Sequence, residues 1–177
     1  MTIGFNHLGR HGRLGNQMFQ YAGLRGIAAH RGFDFMIPES EFKDEWNDHQ
    51  LFEAFKLKGL TNIGVCPGPY VQEAHFHFDQ NLYDNMPDGH NVYAYLQSTK
   101  YFDIIEKEIR EDFEFKNQIK APCDEMMETV QDPIALHVRR GDYIQNCDNH
   151  PPCPKEYYDT ALSKFDNNRT VVVFSDD

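Results

Sequence analysis

The sequence predicts a layered α/β protein whose strands pair in parallel, and three observations carry that prediction. Short apolar strands alternate with runs of helical periodicity, a glycine-rich loop separates the first strand from the first helix, and the same strand, loop, helix order returns from Asp132. Parallel strands need a crossover between them, usually a helix, so this alternation is the pattern that parallel pairing leaves in a sequence. At 177 residues, with 40% hydrophobic and 14% aromatic side chains, the chain can build a packed core.

Taken in order, residues 2 to 7 read as the first strand, and Gly9, Gly12 and Gly15 punctuate the loop after it. From Asn16 to about Arg31, residues Met18, Tyr21, Ala22, Arg25, Ala28 and Ala29 fall at helical spacing, and Gly32 is a natural stop. Phe33 to Pro38 reads as a second strand, Gln50 to Phe55 as a short helix, and Gly59 to Pro69 as a strand with glycine and proline punctuation. His75-Phe-His-Phe alternates, which favours a half-exposed strand over a metal site. Asn91 to Gln97 is a further strand, after which Ser98 can cap a helix carrying Phe102, Ile105, Ile109 and Phe113 on one stripe. The polar stretch from Lys116 to Asp132 is where a domain junction is expected, so the chain divides into 1–131 and 132–177. Pro133 to Val138 is a compact strand, Pro154 opens a helix bearing Tyr157, Tyr158, Ala161, Leu162 and Phe165, and Thr170 to Phe174 is a strand of buried type.

The 17 Lys and Arg against 28 Asp and Glu give a formal net charge of −11, which argues against a nucleic-acid partner while leaving room for a small basic pocket. No stretch approaches a membrane-spanning helix and the N-terminus lacks the marks of a signal peptide, so a cytoplasmic protein without an integral membrane segment is expected. The four cysteines form no CxxC pair and are expected as free thiols.

Three segments carry chemistry. The run from Gly9 to Ala22 matches neither a P-loop nor GxGxxG, and both a tight structural turn and a ligand loop fit it. Arg13 and Asn16 favour the ligand loop, because packing does not explain a polar fork on glycines. Arg139 and Arg140 follow an apolar strand, and paired guanidinium groups suit a diphosphate leaving group. The alternative there is a salt-bridged loop in which Asp142 pairs with one arginine. Ser175, Asp176 and Asp177 end the last strand, where carboxylates can hold a ribose, a base or a metal, or stand solvated.

Four motifs stand in order: Gly12-Arg-Leu-Gly-Asn-Gln-Met-Phe-Gln-Tyr-Ala, Tyr95-Leu-Gln-Ser-Thr-Lys-Tyr-Phe, His137-Val-Arg-Arg-Gly-Asp-Tyr and Val173-Phe-Ser-Asp-Asp. Together they resemble the bacterial-type α-1,2-fucosyltransferases of glycosyltransferase family 11. The resemblance implies two Rossmann-type layered domains of the GT-B kind, the first on the acceptor side. It also implies GDP-fucose as donor, a terminal galactose of a glycan as acceptor, and transfer with inversion that needs no metal or other cofactor. By motif position, Arg139 and Arg140 would hold the phosphates, with Arg139 and Asn16 the catalytic pair. His137 would support the nucleotide or its ribose, and Asp142 would orient the arginines or touch the sugar. Arg13, Gly15, Asn16 and Gln17 would border the fucose and acceptor, and Ser175, Asp176 and Asp177 the nucleotide. No residue is singled out as general base. Members of the family continue into a Ser- and Trp-rich segment that this sequence does not contain, so the second domain is expected to be incomplete. The alternatives to an active transferase are a truncated, inactive GDP- or sugar-binding remnant and half of a split enzyme completed by a second chain.

Overall fold

The opening apolar residues form strand β1 (Thr2–Gly4) in the computed structural model, which describes residues 1–39 and 50–175. Helix α1 (Leu14–Arg31) follows the glycine loop and stops at Gly32, whose φ of 67° lets its N–H turn back to the carbonyls of Ala28 and Ala29. The chain continues through β2 (Asp34–Ile37), α2 (Leu51–Ala54), β3 (Asn62–Ile63), β4 (Tyr70–Gln72), α3 (Gln80–Asn85) and β5 (Asn91–Tyr93). Two single 3-10 turns at Thr99–Tyr101 and Asp103–Ile105 lead into α4 (Glu106–Asp112) and then α5 (Asn117–Glu128). The remainder is β6 (Ile134–Val138), α6 (Gly141–Gln145), α7 (Lys155–Leu162) and β7 (Val171–Ser175).

Among the described residues these strands all pair in parallel, in a five-stranded sheet of order β3-β2-β1-β5-β4 and a two-stranded sheet of β6 and β7. The predicted α/β class is therefore observed. Two compact units result, Met1–Ile119 and Lys120–Asp177. The division expected at 131/132 follows a polar stretch that folds mostly as α5, and the boundary in sequence between the two units falls at Ile119 and Lys120.

In the first unit α1 lies against the sheet and buries Tyr21, Leu24 and Ile27 completely, alongside Ile3, Phe5 and Ile37. Each such side chain contributes about 1.5–3 kcal/mol on removal from water. Gly26 permits a closer approach still, because a Cβ there would lie 1.9 Å from the carbonyl oxygen of Tyr101. In the second unit β6 and β7 run in register from Ile134 opposite Val171 to Val138 opposite Ser175.

Several expectations are corrected. The strand placed over Gly59 to Pro69 shrinks to β3, because Gly64 turns the backbone at a φ of 154°. In place of the strand expected over His75 to Phe78, residues 74–77 form a bend, with the imidazoles of His75 and His77 stacked 3.6 Å apart. The strand begun at Asn91 ends at Tyr93, where the chain bends at Ala94 and turns again at Leu96, whose φ is 52°. Ser98 makes no side-chain cap, and the single helix expected after it is divided into the two turns and α4. Strand β7 is not of buried type: Val173 is 58% and Phe174 51% exposed, because α6 and α7 bury no residue.

Candidate functional site

The glycine loop of the first unit is built by backbone freedom and by glutamines beneath it. Gly9 and Gly12 take φ values of 90° and 85°, which L-residues with side chains avoid. Gln17 is fully buried; its Nε2 donates to the Gly12 carbonyl at 3.3 Å and its Oε1 accepts from the Gln50 amide at 2.9 Å. Gln20, equally buried, donates to the His11 carbonyl at 2.9 Å. Arg13 at the N-cap of α1 and Gly15 beside it are exposed, and Asn16 is half-buried. The Asn16 Oδ1 accepts from Gln97 Nε2 at 2.5 Å, so the first motif is tied to the second across the sheet edge. Arg13, Gly15 and Asn16 thus reach solvent as a ligand loop requires, whereas Gln17 anchors the loop from below.

The carboxyl ends of β1, β4 and β5 adjoin this loop, at the point where the strand order reverses around β1. Such a switch point opens a crevice where ligands collect. Here it holds His7, His11, Tyr93 and Tyr95, with the His7 and His11 rings 5.6 Å apart and Tyr93 edge-on to both. Burial, together with the neighbouring His11 and Arg10, holds the His7 imidazole below its ordinary value and therefore neutral at pH 7. Glu73 sets the shape of this edge: its Oε2 accepts from the Tyr95 and Leu96 amides, and its Oε1 accepts from the Tyr101 hydroxyl at 2.8 Å. None of His7, His11, Glu73, Tyr93 and Gln97 was foreseen as a site residue. The positive φ of Leu96 and the partners of Glu73 depend on contacts remote in sequence.

In the second unit, Arg139 stands just beyond the carboxyl end of β6 and forks onto Asp142, with Nη2 to Oδ2 at 2.9 Å and Nε to Oδ1 at 3.2 Å. Its guanidinium also lies 4.7 Å from the Tyr143 ring centroid. The side chain remains 35% exposed, so the pair adds little stability and serves chiefly to fix the plane of the fork. Arg140 is exposed at the start of α6. Parallel register brings His137 and Ser175 to the same strand ends, both exposed. Asp176 and Asp177 lie outside the described residues. Among the described residues no group of three or more His, Cys, Asp or Glu could hold a metal ion, and no helix is long and apolar enough to cross a membrane. All four cysteines are free.

Comparison with known proteins bears on both units. The family model described as glycosyl transferase family 11 matches residues 68–177. The chain is similar to an α-1,2-colitosyltransferase of Escherichia coli, 25% identical over 94% of this chain and 67% of that protein. It is also similar to the Escherichia coli O-antigen biosynthesis glycosyltransferase WbnK, 26% identical over 61% of this chain and 40% of that protein. The solved structure of fucosyltransferase NodZ from Bradyrhizobium matches with a TM-score of 0.56 at 15% identity, over 99% of this chain and 72% of that one. NodZ α-1,6-fucosyltransferase soaked with GDP-fucose matches with a TM-score of 0.57, also at 15% identity, over 99% of this chain and 71% of that one. At such identity the likeness to NodZ is one of fold.

Proposed function

Because the chain belongs to glycosyl transferase family 11, we propose that it is a glycosyltransferase of the α-1,2-fucosyltransferase type, moving fucose from GDP-fucose to a terminal galactose of a glycan. The observation that supports this reading is the placement of Arg139 and Arg140 just beyond the carboxyl end of β6, within the residues that the family model matches; the Arg139–Asp142 pair is the one the salt-bridged loop expected, and it also fixes the guanidinium plane. As the bond from fucose C1 to the diphosphate breaks, the electron pair and the growing negative charge pass to GDP. A preorganised guanidinium pair stabilises that charge without reorganising, and it does so without a metal or other cofactor.

The acceptor oxygen attacks C1 from the opposite face, which inverts the anomeric centre, and its proton leaves to solvent. A loosely dissociative transfer asks little of a base, and none is assigned. In this reading His137 supports the nucleotide, Ser175, Asp176 and Asp177 lie beside it, and Arg13, Gly15 and Asn16 border the fucose and acceptor. Gln17 holds the loop, and each unit belongs to one of the two Rossmann-type domains of the GT-B kind. The NodZ structures with GDP-fucose and with GDP support the donor class, and the α-1,2-colitosyltransferase supports the linkage. That relative also favours a second donor reading, colitose in place of fucose at the same arginines.

Labelled GDP-fucose incubated with lactose tests the reading. Label in an α-1,2-fucosylated trisaccharide is expected; label that stays in GDP-fucose would reduce the chain to a binding module.

A further inference from the structure

Six aromatic rings form a continuous run that starts at Tyr70, the first residue of β4, and continues past the carboxyl ends of β1, β4 and β5 in the first unit. From Tyr70 through His7, Tyr93, His11 and Tyr95 to Phe76, successive centroids lie 4.9, 5.2, 4.8, 6.3 and 5.9 Å apart. The rings come from the loop after β1, from β4 and the bend after it, and from β5 and its exit, so only folding assembles them. This is not core packing, since Tyr70 is 50% and Phe76 78% exposed. A lone exposed aromatic is ordinary, but a contiguous run of them marks a binding surface.

Four of these rings, His11, Tyr93, Tyr95 and Phe76, wall a cleft of about 240 Å³. Drug-sized ligands fill roughly 300–1,000 Å³, so this one suits a smaller body. Its chemistry narrows the occupant. No Lys or Arg is among the described residues that line it, which disfavours a phosphate. The carboxylate in its wall, Glu73, is already engaged by two amides and a hydroxyl, which disfavours a cation. What remains is a neutral molecule with an apolar face for the rings and polar groups for Gln72 and the His11 and His75 imidazoles that also line the cleft. A pyranose ring has both, with C–H groups on its faces and hydroxyls around its edge.

We propose that this cleft is a subsite for one neutral pyranose ring of the acceptor glycan, with Tyr93, Tyr95 and Phe76 as its stacking surface. The proposal rests on the glycosyltransferase reading above and locates acceptor recognition on rings of which only Tyr95 belongs to a motif.

Titration of the full chain with lactose, followed by NMR of the aromatic side chains with GDP affinity measured in parallel, tests it. Lactose is expected to shift the Tyr93, Tyr95 and Phe76 resonances. Phe76→Ala and Tyr95→Leu are each expected to weaken lactose about five- to tenfold with GDP affinity unchanged. Phe76 is too exposed for its removal to endanger folding, so that variant stays informative if Tyr95→Leu misfolds. Lactose that leaves these rings unperturbed, binds Phe76→Ala as it binds the wild type, or is displaced from the rings by GDP would overturn the proposal. Lactose binding at the rings without any GDP binding would uphold the cleft and remove the donor reading; GDP binding without a lactose response would do the reverse.

Discussion

Asp112, 1% exposed, is where several sequence-remote groups converge: it accepts from the Tyr21 hydroxyl at 2.6 Å and the Gly59 amide at 2.7 Å and pairs with Arg25. Tyr21 and Arg25 sit one helical turn apart on α1, so the tail of the first motif is structural while its head faces solvent. Asp112→Ala leaves Arg25 without its carboxylate and is expected to cost about 3–5 kcal/mol in denaturant unfolding. His7 predicts a pH dependence. Its folded value lies below the ordinary 6.5, through burial first and then His11 and Arg10. As pH falls below 6.5 the unfolded chain takes up a proton that the native imidazole still refuses, so native stability declines from there down to the folded value. Urea midpoints compared at pH 7.5 and 5.5 should show the decline, and His7→Gln should lessen it. At this scale the placement of Arg139 and Arg140 beyond β6 and of Asn16 at the head of α1 was legible, because polar side chains after an apolar strand or a glycine loop fall at the ends of elements. Glu73 and Gln97 were not, since each acts through a partner far along the chain.

At the scale of elements, α1 and β6 were legible as a helix and a strand from periodicity and apolar run length, although α1 buries Gln20, Leu24 and Ile27 rather than Arg25 and Ala29 of the expected stripe, and β6 buries only Ile134. The expected helix after Ser98 was not, because Tyr101 and Phe102 press their backbone onto α1 at Gly26 and the chain turns there. Gly26→Ala forces those backbones apart and is expected to lower stability by about 1–3 kcal/mol, read as a shift in denaturation midpoint without change in slope. The bend over residues 74–77 was equally hidden: alternation of His and Phe describes a strand and a ring-bearing turn alike. Its meaning came from Tyr95, which folding brings beside Phe76.

Over the whole molecule, the alternation of strands and helices announced the parallel α/β class correctly, but not how unevenly the core is shared. Among the described residues the buried apolar side chains belong to the first unit, apart from Ile134. Hydrogen exchange should therefore find the amides of β1, β5 and α1 protected to near the global unfolding free energy, and those of β6 and β7 exchanging well before them. Equal protection of both sheets would contradict that expectation. On the proposed reading, in which Arg139 and Arg140 hold the donor phosphates, donor affinity should also fall as salt screens those contacts. Calorimetric titration with GDP, comparing the wild-type chain with Arg139→Ala, tests the central claim most directly. A hydrogen bond between charged partners is worth about 1.5–3 kcal/mol, so the variant is expected to bind GDP at least tenfold more weakly. A wild-type chain that does not bind GDP, or an Arg139→Ala chain that binds it equally well, would contradict the assignment of this strand end to a nucleotide sugar.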